Sequence, residues 1–508
     1  MIFVRRSNLI AIIVAVVAFA AIPTISRSAA QPGKARNPLQ IVQDRHRDRY
    51  REFTNQINKV AQFCEDKKLS DAAIEVQSRL INPETQTMRV DQLPAELRSE
   101  IPASVIGDER AWQTQLRHIE SDYAKDLYLQ ARAALKQGYP SYAFNLIREA
   151  AMHDSDNKQV RRVLGYVRSE NEWVTPFAYS LMQKQYVWHD QFGWLPKSHV
   201  QRYEDGERNF NGRWMSAEKE KELRRDFKSA WEVRTDHYLI KTNVSLERGV
   251  ELGKALEEFH SIFYDTFAGF YNSPEQLQKL FDDSAKVARR DVVYKVHFYK
   301  SREEYLEGLR KFFPSIDQTN GVYMTSDRVV HFYHDPNHDH QGTLFHEATH
   351  QLFFESHPSN RTICDNHHFW IIEGIACYME SLQRKKDSFS LGDPNYIRFA
   401  GARNNLLNKH YYVPLREFSA MGMQEFQGAA ELAKNYTQAS GLARFFMHYD
   451  NGRYRDALVQ HLAQLYSSDA RVRERADGLD RLTGVDFEDL DRQYAEDARE
   501  TENQASSR

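Results

Sequence analysis

Two histidines one helical turn apart, with a glutamate directly after the first, restrict this chain more than any other feature. In Leu344-Phe345-His346-Glu347-Ala348-Thr349-His350-Gln351-Leu352 the imidazoles stand at i and i+4. On a helix such positions share a face, with Cβ atoms roughly 5–6 Å apart. Both rings then reach one metal ion at about 2.0–2.1 Å per Zn–N bond, which makes His346 and His350 candidate zinc ligands. Glu347 points off the ligand axis, to where it can take the proton of a water attacking a carbonyl. The chemistry of such a pattern is metal-assisted amide hydrolysis.

A third ligand is needed. The stretch Phe369-Trp370-Ile371-Ile372-Glu373-Gly374-Ile375-Ala376-Cys377-Tyr378-Met379-Glu380 reads as an apolar helix interrupted by one carboxylate. Burying Glu373 among Trp and Ile is costly unless a cation pairs with it, and zinc is the natural partner. The metzincin alternative requires Gly three residues and His six residues after the second histidine, where this chain has Phe353 and Ser356. His357 is out of register. Asp365, His367 and His368 lie in the connecting segment among polar residues that need no metal to explain them.

These residues resemble the gluzincin zinc peptidases, in which the zinc helix is followed by a helix beginning Trp-x-x-Glu-Gly-x-Ala-x-Tyr, here Trp370 to Tyr378. The half from about Trp231 onward, with tetratricopeptide-like helices before it, is similar to a family of exported bacterial proteins of unknown function assigned to that peptidase clan. The resemblance implies zinc ligation by His346, His350 and Glu373, with Glu347 as general base. It implies that Glu380 steadies a ligand histidine from beyond the metal's own ligands. Residues seven apart on a helix share a face, and a ligating His usually donates its other N–H to a carboxylate. Tyr436 occupies the place where many of these peptidases carry a Tyr opening a helix, and a phenol can donate to an oxyanion without titrating at neutral pH. Tyr378, Tyr396 and His448 are alternatives for that donor. The segment Asn320 to Tyr333 reads as strand, polar turn, strand. By resemblance Gly321, Val322, Tyr323 and Met324 form the edge strand that pairs with an extended substrate, through main-chain hydrogen bonds that give affinity without dictating side chains.

The remainder sets compartment and organisation. Arg5-Arg6, the apolar run Leu9 to Ile22 and then Ser26-Arg27-Ser28-Ala29-Ala30 follow the order of a secretory signal, expected to be cleaved after Ala30. The apolar run is short for a membrane span, and an uncleaved anchor is the lesser reading. No later segment is long and apolar enough to cross a membrane, and the mature chain is expected to be exported without a membrane partner. Three cysteines are too few for a disulfide scaffold, and unpaired thiols are expected at Cys64, Cys364 and Cys377, with a Cys364–Cys377 pair formed after export as the alternative. A net charge of −3 without basic blocks argues against nucleic acid.

With 508 residues, the chain exceeds what one hydrophobic core usually serves. The expected fold class is α+β: a helical-repeat region over 31–170, a Trp-containing connector over 171–228, a zincin-like domain over 229–498 with a small sheet and a mainly helical C-terminal part, and a disordered tail over 499–508. Within the repeat region Ala131, Leu135, Gly138, Ala143, Leu146 and Ala150 resemble a tetratricopeptide unit, which commonly presents one face to a protein partner. Trp173, Trp194 and Trp214 read as aromatic staples, each before a short helical stretch; a carbohydrate platform is the alternative. The function expected is an exported peptidase with about one zinc ion per chain and a peptide or protein substrate. The rival readings are an inactive repeat-containing interaction scaffold and a zinc hydrolase of a cell-wall or other non-protein bond.

Overall fold

The computed structural model describes residues 38–80, 88–282, 292–338, 341–357, 363–386, 388–428 and 430–506. The expected export signal over 1–30 lies outside them. The fold is α+β, with helices predominating.

Helix Pro38–Asp66 buries Leu39, Val42, Phe53, Ile57, Val60, Ala61 and Cys64 along one stripe, a spacing that forces antiparallel partners upon it. Those partners are Ser70–Gln77 and Gly107–Lys136, the latter pairing in turn with Pro140–His153. Gly138, at φ +86, makes the tight turn between the last two, and Pro140 opens the next helix where its missing N–H costs nothing. Asn157 then caps Lys158–Val163 through the N–H groups of Gln159 and Val160. This helical core also takes in Ala268, Leu277, Leu280 and Phe281, which come from two short helices much later in the chain.

In the Trp segment the expected order of Trp before a short helix holds, and the correction is that each Trp stands on a strand. It holds three antiparallel hairpins, Val167–Ser169 with Glu172–Val174, Tyr186–His189 with Gly193–Pro196, and Glu207–Phe210 with Arg213–Ser216. Each is followed by helix: Pro176–Met182, Val200–Glu204 and Ala217–Leu223. Trp173, Trp194 and Trp214 all sit on the second strand of their hairpin. Arg202 lies 3.8 Å above the Trp214 ring, and Trp173 donates to Asp156 at 3.3 Å. The tryptophans therefore do hold the segment together, in units of strand, strand and helix.

A five-stranded sheet follows, in the order Gly321–Met324, Val329–Tyr333, Tyr294–Tyr299, Tyr238–Thr242, Trp231–Arg234. Its three inner strands run parallel and both outer ones antiparallel. Gly321–Met324 is thus an edge strand. Three helices complete the frame: the motif helix Gln341–Ser356, the glutamate helix Phe369–Met379 and the tyrosine helix Leu432–Gly452. All eleven residues of the glutamate helix are buried, which its nearly unbroken apolar sequence demands. Gly374 is where it meets the tyrosine helix most closely: a Cβ there would stand 2.6 Å from the Ala439 carbonyl oxygen.

The C-terminal end corrects a second expectation. The polar stretch from Arg499 is helical to Ser506, the continuation of Phe487–Ser506. Leu490, Tyr494, Ala498 and Thr501 carry one buried stripe along it, and Glu502 accepts from Arg403 at 3.2 Å. Residues 507–508 lie outside the described ones.

Candidate metal centre

Thr349, Gln351 and the apolar residues of the motif helix fix its rotation. Leu344, Phe345, Ala348, Leu352 and Phe353 face the core, Phe345 stacks on Phe259 at 4.6 Å, and the Gln351 amide donates to the Lys295 carbonyl of the central strand at 3.1 Å. The opposite face carries His346, Glu347 and His350, all half-buried. Here the i, i+4 spacing has its effect: the Nε2 atoms of His346 and His350 stand 3.1 Å apart.

Glu373 reaches the same point from the glutamate helix. Its Oε2 lies 3.4 Å from His346 Nε2 and 3.7 Å from His350 Nε2. Two ligands about 2.05 Å from a tetrahedral zinc stand about 3.3 Å apart. The three measured separations, 3.1, 3.4 and 3.7 Å, bracket that value. The residues therefore fit the ion that the sequence implies.

The electrostatics point the same way. Burial alone would hold His346 neutral, but the Cys377 thiol and the carboxylates of Glu373 and Glu380 raise its proton affinity well above the ordinary imidazole value. Burial pushes the Glu373 carboxyl up, yet His350 and His346 bring it far below the usual carboxylate range. A pocket that draws positive charge onto His346 is one that welcomes a cation.

Glu380 follows the last turn of the glutamate helix and accepts from His346 Nδ1 at 2.7 Å. This is the contact expected of it, and it aims His346 Nε2 at the ligand point. Arg398 holds the carboxylate in a fork, Nε to Oε2 at 2.6 Å and Nη2 to Oε1 at 2.9 Å, while the Tyr396 hydroxyl donates to Oε2 at 3.1 Å.

Glu347 points instead toward the edge strand. The backbone N–H of Tyr323 donates to its Oε2 at 2.7 Å, so this carboxylate is positioned by the strand expected to receive substrate. Tyr436, in the second turn of the tyrosine helix, packs edge-on against Phe426 at 5.3 Å. Burial, then the nearby charge of Glu373, keeps its phenol protonated well beyond the ordinary tyrosine value. The alternatives for its role are engaged elsewhere: Tyr378 and His448 bond each other at 2.8 Å, and Tyr396 is on Glu380. Among the rival ligands, the ring of His357 packs on Phe270 at 4.6 Å and that of His368 on His461 at 4.8 Å.

Sequence reasoning missed the place of Cys377 and Arg398 in this centre, and it named Tyr396 only as an alternative oxyanion donor and not as a partner of Glu380. Cys377 lies against His346, within the group His346, Cys377 and Glu380 whose donor atoms are all within 4.8 Å of one another. Its position four after Glu373 and three before Glu380 is the signal that places it on their face. Arg398 and Tyr396 come from a separate segment and left no local signal. All three cysteines are free. No protein-family model matches this chain, and a search of curated proteins returns no match. Among the described residues no helix is long and apolar enough to cross a membrane.

Proposed function

We propose that this chain is an exported zinc-dependent peptidase of the gluzincin type, with a zincin-like catalytic part behind tetratricopeptide-like helices. The observation that carries the reading is the convergence of two imidazoles and one carboxylate at 3.1–3.7 Å, with Glu347 beside them and held separately. When bound, zinc would polarise the scissile carbonyl and acidify the attacking water.

The chain's own residues do the rest. His346, His350 and Glu373 hold the ion, and Glu380 fixes the tautomer and tilt of His346. Glu347 takes the proton of the attacking water and returns it to the leaving amine, which its carboxylate does without leaving the Tyr323 N–H. Tyr436 donates its phenolic proton in a hydrogen bond to the developing oxyanion. An extended peptide lies along Gly321–Met324. The N–H and C=O of one strand residue point to the same side, so the Tyr323 carbonyl faces outward and accepts from the substrate while its N–H serves Glu347.

The test is a broad peptide-library digest by the mature protein, with and without a zinc chelator. Cleavage should vanish with chelator and return with zinc. Glu347→Gln should keep the metal while losing roughly 10²–10⁴ in rate. Cleavage that survives both treatments would remove the peptidase reading.

A further inference from the structure

The centre above leaves unused a second cluster of the same donor types. The turn between strands Trp231–Arg234 and Tyr238–Thr242 presents His237, and the next helix, Leu246–Thr266, presents Glu257 and His260 three residues apart on one face. One donor atom from each of the three lies within 4.8 Å of the others. Glu257 is fixed on several sides: Oε1 accepts from the His237 backbone N–H and the Thr235 hydroxyl, both at 2.6 Å, and Oε2 meets His237 Nδ1 at 2.7 Å. The His260 ring stacks on the His237 ring, centroids 3.8 Å apart and planes 18° from parallel. Burial raises the Glu257 carboxyl, but His237 and Thr235 outweigh it and keep the group ionised.

All three residues are half-buried and line a cavity of about 1540 Å³ that is also walled by Trp173, Trp188 and Trp194. His346, His350 and Glu373 are not among its walls. Two imidazoles with one carboxylate suit zinc and its transition-metal neighbours, whereas calcium and magnesium want oxygen alone. All three donors are half-buried and border the cavity, whereas Glu373 of the motif centre is buried, so a cation held here stays in exchange with solvent.

We infer that His237, Glu257 and His260 form a second, exchangeable site for a divalent transition-metal ion such as Zn2+, with its open coordination position facing the Trp-walled cavity. Binding there ties the turn at His237 to the helix and gives the cavity a Lewis-acidic wall. The site does not depend on the peptidase reading.

The experiment counts zinc by equilibrium dialysis of the full mature chain, in a His346→Ala/His350→Ala background that disables the motif centre. That chain should still take up one equivalent of Zn2+ reversibly, and adding His260→Gln should abolish the uptake while circular dichroism and melting stay unchanged. His237→Gln, in the same background, should do likewise and covers a failure of the first variant to fold. No uptake by the background chain overturns the inference, and so does uptake that survives both substitutions. In either case His237, Glu257 and His260 are a hydrogen-bonded stack and nothing more. The peptidase reading fails separately, if the chain with an intact motif centre cleaves nothing.

Discussion

At the level of single residues, Glu380 is bound more completely than any ligand of the centre, with His346, Arg398 and Tyr396 all on its two oxygens. Removing it frees the His346 ring to turn and strips Arg398 of its anion. Glu380→Ala should weaken zinc binding by roughly 10–100-fold, the usual cost of losing a carboxylate behind a ligand histidine. Competition against a chelator of known affinity measures this, and an unchanged affinity would leave Glu380 without the role assigned to it. Tyr436 differs in kind, because the role proposed for it belongs to the transition state. Tyr436→Phe should lower kcat by on the order of 10²–10³ with KM and zinc content nearly unchanged. A kcat within about threefold of the parent, in a chain that melts normally, would assign the oxyanion to another donor.

Among elements, the edge strand and the contact of two helices decide how the centre is aligned. The Tyr323 N–H points away from the partner strand, where proline is tolerated in a sheet edge. Tyr323→Pro should therefore leave the fold and the zinc in place but release Glu347, costing about tenfold or more in kcat beyond what Tyr323→Ala costs. Equal losses in the two variants would show the side chain to matter and the N–H not. What was legible at this scale followed the strength of periodic signals. The motif helix, the glutamate helix and the strands at Gly321–Met324 and Val329–Tyr333 were read because i, i+4 and alternating patterns are strong there. Gly374 was legible only as part of a motif, and its cause, the approach of the Ala439 carbonyl, belongs to a helix some sixty residues away. The three hairpins were missed because strands of three or four residues are too short for alternation to register. The end of the terminal helix from Arg499 was missed because its polar residues outweighed Thr501, which continues the buried stripe of Leu490, Tyr494 and Ala498.

Across the molecule, several imidazoles are stored in their neutral form. Burial holds His153, His297 and His461 down to about 4, and His368 to about 3. In the unfolded chain each would take its proton near about 6.5. Between those values the unfolded state binds more protons, so stability rises with pH there. The contribution is whole above pH of about 6.5 and is lost as the pH falls toward about 4. The melting temperature of the His346→Ala/His350→Ala chain, in which release of metal at the motif plays no part, should drop clearly between pH 6.5 and 5. A flat profile over that interval would show these imidazoles to be solvated.

The described residues from Pro38 onward form one compact unit, and the core of the N-terminal helices includes Leu277, Leu280 and Phe281 from beyond the hairpins. Ser141, at the start of Pro140–His153, also binds Asp456 through both its N–H and its hydroxyl, at 3.0 and 2.6 Å. A zymogen's pro-segment must part from its enzyme along a wettable seam. Here the seam mixes such polar contacts with the apolar contacts of Leu277, Leu280 and Phe281, and parting the two halves after a cut ahead of Trp231 would bare those side chains to water, which favours aggregation.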